Sequence, residues 1–346
     1  MMREYLAKVM AGNNLTREEA GAAMRLMRSG QASESQMGAL LTALRIKGET
    51  SEELAGMAET MRAFAVNAVP EGSVPLLDTC GTGGDGKKTF NISTTVALVV
   101  AGAGVRVAKH GNRGVSSASG SADVLELLGV KVALPAASVV RSINTIGIGF
   151  LYAPSFHTAM RHVAKTRREL AVRTAFNVLG PLTNPAGADR QLLGVYERPL
   201  VEKVAYTLAA LGGVKRAMVV HSEDGMDELS VFAPNYTALV EEGLVTFRSI
   251  DAADYGLTDT DAAAIRADSA EESAASVLAV LRGEPGARRK IVLLNAAAAL
   301  VVGGAADSMT EGVLAARQSI DSGAALAKLT ELKAFSAREA GDSLAG

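Results

Sequence analysis

The chain has 346 residues, is 48% hydrophobic and carries a formal net charge of -2. That length suffices for one large domain or two smaller ones with a sizeable core, and the near-neutral balance gives no support to nucleic-acid or membrane binding through bulk charge. A single cysteine, Cys80, excludes an intrachain disulfide, and the lack of tryptophan leaves little material for stacking bases.

The opening MMREYLAKVM lacks the apolar core of a signal peptide. The longest apolar stretch, 96–108, is too short to cross a bilayer and contains Arg106. A soluble, cytoplasmic protein is expected. The first seventy residues read as three short helices. Thr16 with Glu19, Ser33 with Gln36 and Thr50 with Glu53 each match a capping box. Met37, Leu40, Leu41 and Leu44 follow one helix face, and Gly48 is placed to end it. Pro70 to Pro75 reads as a linker.

From residue 76 short strands alternate with helices. The pattern predicts strands at 76–78, 105–108, near 130–134 and at 148–152, with helices at 94–103, 122–128 and 137–146. A helix over 156–170 and a mixed segment over 173–186 follow, and this region is expected to rejoin the helical unit. Strands at 192–196 and 216–221 flank a helix at 200–211. Residues 236–241 and 244–250 read as a hairpin around Glu242-Gly243, and the last hundred residues as Ala-rich helices. The fold class is therefore α/β: a small all-helical N-terminal domain and a larger α/β domain with a mostly parallel sheet covered by helices. The expected division is 1–72 with helices from about 156–190, against 73–155 and 191–346.

Between Asp78 and Leu128 lie three loops of a phosphate-binding kind: GTGGDG at 81–86, NIST at 91–94 and KHGNRGVSS at 109–117, followed by ASGS. Glycine allows close backbone approach and positive φ. Amide and hydroxyl donors at a helix start favour anions. Two of these loops follow predicted strands, so they can share one crevice. There is no GK[ST] and no G-x-G-x-x-G spacing, which excludes the Walker and dinucleotide fingerprints. Lys109 supplies a point charge for a phosphate. Arg113 has two readings, a phosphate contact or a structural pair. Asp123 and Glu126 read as solvent-facing residues or local partners.

Asp224, Asp227 and Glu228 form an acidic cluster, which reads either as a charged surface loop or as hard oxygen ligands for Mg²⁺. Beside phosphate loops the second is favoured. Arg161, Arg167, Arg168 and Arg173 lie in or just past a helix, and Arg167 or Arg168 could fork onto a carboxylate. His110, His157, His162 and His221 show no shared metal spacing. Cys80 reads as a packed small residue.

Together GTGGDG, FNIST, KHGNRGVSS, FNVLGPLTNPA (176–186), DGMDELS (224–230) and IDSGAALAKL (320–329) resemble the anthranilate phosphoribosyltransferases, a likeness running over nearly the whole chain. Pyrimidine nucleoside phosphorylases share the glycine loop, but Asn112, the VSS after Arg113 and LGPLTNPA match the transferases better. The resemblance implies a site at the hinge of two domains, a homodimer formed through the helical one, and Mg²⁺ as cofactor. It implies that phosphoribosyl pyrophosphate (PRPP) is held by Gly81, Gly84, Asp85, Thr89, Asn91, Ile92, Ser93, Thr94, Lys109, His110, Gly111, Asn112, Arg113, Gly114, Val115, Ser116, Ser117 and Ser121. It puts magnesium on Ser93, Asp227 and Glu228, and anthranilate near Gly81, Asn112 and Arg167, with Lys109 and Arg167 as the catalytic candidates. Two departures stand out, Cys80 for a β-branched residue and Thr158 for a common proline; both are expected to tune packing only. A nucleoside phosphorylase, a transferase using another aromatic acceptor, and a non-catalytic nucleotide-binding protein are the competing functions.

Overall fold

The computed structural model describes residues 1–72, 74–114 and 119–345, the side chains of 342–345 excepted. Position 73 of the expected linker, and Val115, Ser116 and Ser117 of the third loop, lie outside the described residues. Four helices, not three, open the chain: α1 (Met2–Met10), α2 (Arg17–Arg28), α3 (Glu34–Lys47) and α4 (Ser51–Ala63). The three capping boxes form as read, with Gly48 ending α3 at φ +85°. The first helix has no side-chain cap, so cap spacing alone could not reveal it.

Strands β1 (Leu77–Gly81), β2 (Val107–Gly111), β3 (Ile148–Tyr152), β4 (Arg190–Gly194), β5 (Arg216–Ser222), β6 (Asn235–Glu241) and β7 (Leu244–Ile250) form one sheet in the order β3-β2-β1-β4-β5-β6-β7. The first five are parallel and the last two antiparallel, with the hairpin turn where expected, at Glu242-Gly243. Helices α5 (Ile92–Gly102), α6 (Ser121–Leu127), α7 (Ala136–Ile146), α8 (Ala153–Phe156), α9 (Arg161–Leu170), α10 (Phe176–Leu179), α11 (Pro199–Leu211), α12 (Ala270–Leu281), α13 (Ala287–Gly303), α14 (Met309–Asp321) and α15 (Ala324–Ala345) complete the fold. No helix among the described residues is long and apolar enough to cross a membrane.

The two faces of the sheet bury different cores. Alternate residues of one strand point to opposite faces. Accordingly Leu192, Met218 and Val220 join the core under α5, α12 and α13, while Leu193, Ala217 and Val219 join one made with α11 and the N-terminal helices. Val163 and Phe176 of the 156–190 region belong to that second core as well. Polar contacts reinforce the seam: Ser51 donates to the Lys203 carbonyl (3.1 Å) and Arg17 to that of Ala210 (2.7 Å).

Two expected elements are corrected. Residues 130–134 are not a strand. Val130, Val132 and Leu134 do alternate inward, but the Lys131 amide goes to Ser336 Oγ of α15 (2.9 Å), not to a neighbouring strand. The helix over 156–170 is broken, because His157 (φ -112°, ψ 52°) leaves helical space between α8 and the 3₁₀ turn Thr158–Met160 that precedes α9.

Candidate active site

In the order β3-β2-β1-β4-β5 the chain winds one way from β1 to β3 and the other from β4 to β5, so the reversal falls between β1 and β4. Open α/β sheets place ligands in the crevice at that reversal, beyond the carboxyl ends of the strands. The glycine loop leaves β1 there. Gly83, Gly84 and Gly86 take φ of +65°, +82° and +75°, which side chains resist. The Gly83 amide donates to Asp227 Oδ2 (2.8 Å), whereas those of Gly84, Asp85 and Gly86 donate to no protein acceptor among the described residues.

The second motif starts α5. Asn91 Oδ1 accepts from the hydroxyls of Ser119 (2.9 Å) and Ser273 (2.7 Å) and does not cap the helix. Ile92 is 1% exposed and packs in the core, so only its backbone can face a ligand. The buried Thr94 hydroxyl finds no partner among the described residues. Thr89 forms an isolated bridge with Arg266.

Lys109, at 3% exposure, reaches from β2 into this crevice. Its Nζ donates to the Thr79 carbonyl (2.6 Å) and lies 3.4 Å from Ser93 Oγ. Burial pulls the ammonium below its ordinary pKa, while Asp78, Cys80 and Glu228 pull it upward. A buried cation without a carboxylate hydrogen-bonded to it is poised for an incoming anion. Asp78 is the nearby counter-charge. It is fully buried, accepts from the His110 amide (3.1 Å) and Asn184 Nδ2 (2.8 Å), and burial pushes its carboxyl up to about 6 against the pull of Lys109.

Of the acidic cluster only Asp227 and Glu228 face the loops. Asp224 serves its own turn, accepting from Ser230 Oγ (2.6 Å) and the Met226 amide (3.2 Å), and its place is taken by Asp85, which accepts from the Asp227 amide (3.4 Å). Desolvation and then repulsion from Asp85 push Asp227 up to about 7, and desolvation and Asp227 push Glu228 well above the carboxylate range. Among the described residues no three His, Cys, Asp or Glu side chains gather into a metal cage. Two crowded carboxylates beside the Ser93 hydroxyl nonetheless fit Mg²⁺, a hard cation that takes few protein ligands and relieves such repulsion.

This crowding depends on absent side chains. A Cβ on Gly194, the last residue of β4, would stand 1.5 Å from the Asp227 carbonyl oxygen, and one on Gly81 2.8 Å from Asp227 Oδ2. Gly111 is equally tight, since its Cβ would meet Ser121 Oγ at 2.1 Å.

Arg113 is exposed and makes a two-toothed pair with Glu126 (2.7 and 2.8 Å), a bond to Asp123 (3.1 Å) and one to the Tyr152 hydroxyl (3.3 Å). Asp123 and Glu126 are its local partners. Asp123 also accepts the amides of Gly114 and Gly120 (both 2.9 Å), closing the loop on itself. Asn112 is exposed, and its carbonyl accepts from Ser121 Oγ (3.3 Å).

On the acceptor side Arg167 is exposed on α9, its guanidinium 5.1 Å over the Phe176 ring, with no ion pair among the described residues. His110 and His157 are buried with rings 5.2 Å apart, and burial holds them at about 3 and about 4, neutral at pH 7. Cys80 accepts from Gln191 (3.0 Å), and burial pushes its thiol up, away from nucleophilic use. Asp78, Asn184, Gly194 and the hydrogen bond from Arg173 to the Gly84 carbonyl escaped the sequence reading. The one local signal was a carboxylate set inside the apolar start of β1.

Two family models cover the chain: the helical bundle domain of a glycosyl transferase family matches residues 3–65, and its a/b domain matches residues 73–326. The anthranilate phosphoribosyltransferase of Moorella thermoacetica is 49% identical over 97% of this chain and 98% of its own, and that of Myxococcus xanthus 53% over 96% and 98%. The crystal structure of the Thermus thermophilus enzyme superposes with a TM-score of 0.90 at 43% identity, covering 96% of this chain and 98% of that one. The Saccharomyces cerevisiae enzyme in complex with PRPP and Mg does so with a TM-score of 0.88 at 27% identity, over 97% and 98%. By sequence, domain content and fold, the chain belongs to the anthranilate phosphoribosyltransferase family.

Proposed function

We propose that the chain transfers the phosphoribosyl group of PRPP to anthranilate, giving N-(5-phosphoribosyl)anthranilate and pyrophosphate, in tryptophan biosynthesis in the cytoplasm. The observation that carries this is the buried Lys109 ammonium, set between the Thr79 carbonyl and the Ser93 hydroxyl on the strand next to the one that leads into the glycine loop. Relatives of that name at about half identity over nearly the full length support it.

The reaction displaces pyrophosphate from the ribose anomeric carbon. Negative charge grows on the leaving group, and Lys109 with the amides of Gly84, Asp85 and Gly86 stabilises it in place of water. The residues named for PRPP along the three loops line the donor, those at 92–94 through the start of α5. Mg²⁺ would be held by Ser93, Asp227 and Glu228, where it supplies charge neutralisation to the diphosphate. Arg167 takes the anthranilate carboxylate, and Gly81 and Asn112 border the ring. An aryl amine is neutral near pH 7, so positioning replaces a base. The buried, neutral His110 and His157 agree with that division. Residues 1–72 with the helices of about 156–190 act as one unit and the remainder as the other, and the protein pairs through the helical unit as a homodimer.

Mixing the protein with PRPP, Mg²⁺ and anthranilate should quench anthranilate fluorescence and release pyrophosphate. Release with another aromatic amine only would reassign the acceptor. Turnover of a nucleoside with phosphate, without use of PRPP, would establish a phosphorylase.

A further inference from the structure

Among the cations near the crevice, Arg173 has no part in the chemistry described above. It follows α9 by three residues, after Ala171 turns the chain through left-handed space (φ 49°, ψ 25°). One guanidinium nitrogen donates to the Gly84 carbonyl, another to Glu197 (3.3 Å), and the plane lies over Tyr196 at 4.0 Å. Tyr196 in turn donates its amide to Thr82 Oγ1 (3.2 Å) in the same glycine loop. Three contacts of different kinds thus fix one side chain against one peptide group. Glu197 also faces Arg45 of α3 at 3.9 Å, an exposed pair that contributes little.

The consequence lies in the peptide plane. All peptide bonds of the described chain are trans, so the carbonyl of Gly84 and the amide of Asp85 point in opposite directions. Gly84 sits at φ +82°, where a glycine peptide flips at little cost. We propose that Arg173 is a positioning residue: by holding the Gly84 carbonyl outward, it keeps the Asp85 amide turned into the crevice for a diphosphate oxygen. Without it, the carbonyl oxygen is free to turn inward and meet the anion with like charge. This rests on the donor site lying in the crevice as proposed above. It adds a role for a residue beyond the loops, supplied from the segment that also carries Arg167.

The test compares Arg173→Ala and Arg173→Lys with the native chain. Inorganic pyrophosphate with Mg²⁺ is titrated calorimetrically, and KM for PRPP and for anthranilate are measured separately. For Arg173→Ala, pyrophosphate affinity and KM for PRPP should each worsen about tenfold, the scale of one hydrogen bond to a charged group, with the anthranilate KM at saturating PRPP within about twofold. The lysine variant should recover part of the loss, since an ammonium reaches the carbonyl without the stacking plane. Native pyrophosphate affinity in a folded Arg173→Ala protein would overturn the assignment, as would equal losses for both substrates. If the alanine variant does not fold, the lysine variant and Glu197→Gln decide by the same readouts, and native values in both overturn it. A native protein that binds pyrophosphate but uses no anthranilate would sink the proposed acceptor while leaving this role for Arg173 intact.

Discussion

The donor and acceptor sides of the crevice are built on different terms. On the donor side three charged groups are held by backbone: Lys109 by a carbonyl, Asp78 by an amide, Asp227 by the Gly83 amide. On the proposed acceptor side Arg167 lies exposed on α9 with its guanidinium over the Phe176 ring, although partial desolvation lowers its pKa. Fixed charges in a dry setting act strongly on a developing charge and need no reorganisation. A cation at the surface is weakened by water and chiefly orients what it meets. Under the proposed roles, the charge-bearing step falls to a rigid part and the recognition step to an adjustable one.

That contrast makes Lys109→Ala the most damaging change. It should lower kcat/KM by about 10²–10³-fold, the scale of removing one preorganised donor, with the fold intact by circular dichroism. A loss below about threefold would put the donor side on the same footing as the acceptor side.

Gly194→Ala comes next. Its methyl would collide with the Asp227 carbonyl, so the loop must shift at a cost of about 1–3 kcal/mol or more. Half-saturating Mg²⁺ in steady-state assays should rise with it.

His157, at the seam between the two sides, sharpens the comparison through pH. Its folded value near 4 lies below the ordinary 6.5, chiefly through burial. The unfolded chain gains this proton first, so the stability is complete above pH 6.5 and is lost as pH falls toward 4. Relative to His157→Gln, the native chain should lose about 3 kcal/mol in urea unfolding over that window. A constant gap between the two proteins would show that His157 protonates freely in the fold.

Arg167→Ala should raise KM for anthranilate by about tenfold to a hundredfold, corresponding to roughly 1.5–3 kcal/mol for a charged hydrogen bond, and leave KM for PRPP near native. The mildest change is Ala171→Gly, which relieves a left-handed non-glycine residue behind α9. It should stabilise the protein by about 0.5–1 kcal/mol, with little effect on turnover.

What the sequence revealed follows the same divide. Lys109, the glycine loop and the Asp227–Glu228 pair sit in short contiguous strings whose residue types already imply anion and cation binding. The three capping boxes fixed α2, α3 and α4 because their partners are three residues apart. Asp78 was not legible, because its partner Asn184 is 106 residues away, and the hold of Arg173 on Gly84 spans 89. Residues 130–134 misled for the opposite reason. Alternating burial matches a strand, but a strand also needs a neighbour, and α15 satisfies that backbone instead.

Gly81 and Gly194 stand opposite one another on β1 and β4, and the Asp227 turn rests on both. Whoever transplants the proposed divalent-cation site into another α/β scaffold must therefore copy two bare backbone positions along with the acids. Aspartate and glutamate grafted over ordinary strand ends would be propped away from the phosphate loop, and the transplant would carry the right ligands at the wrong height.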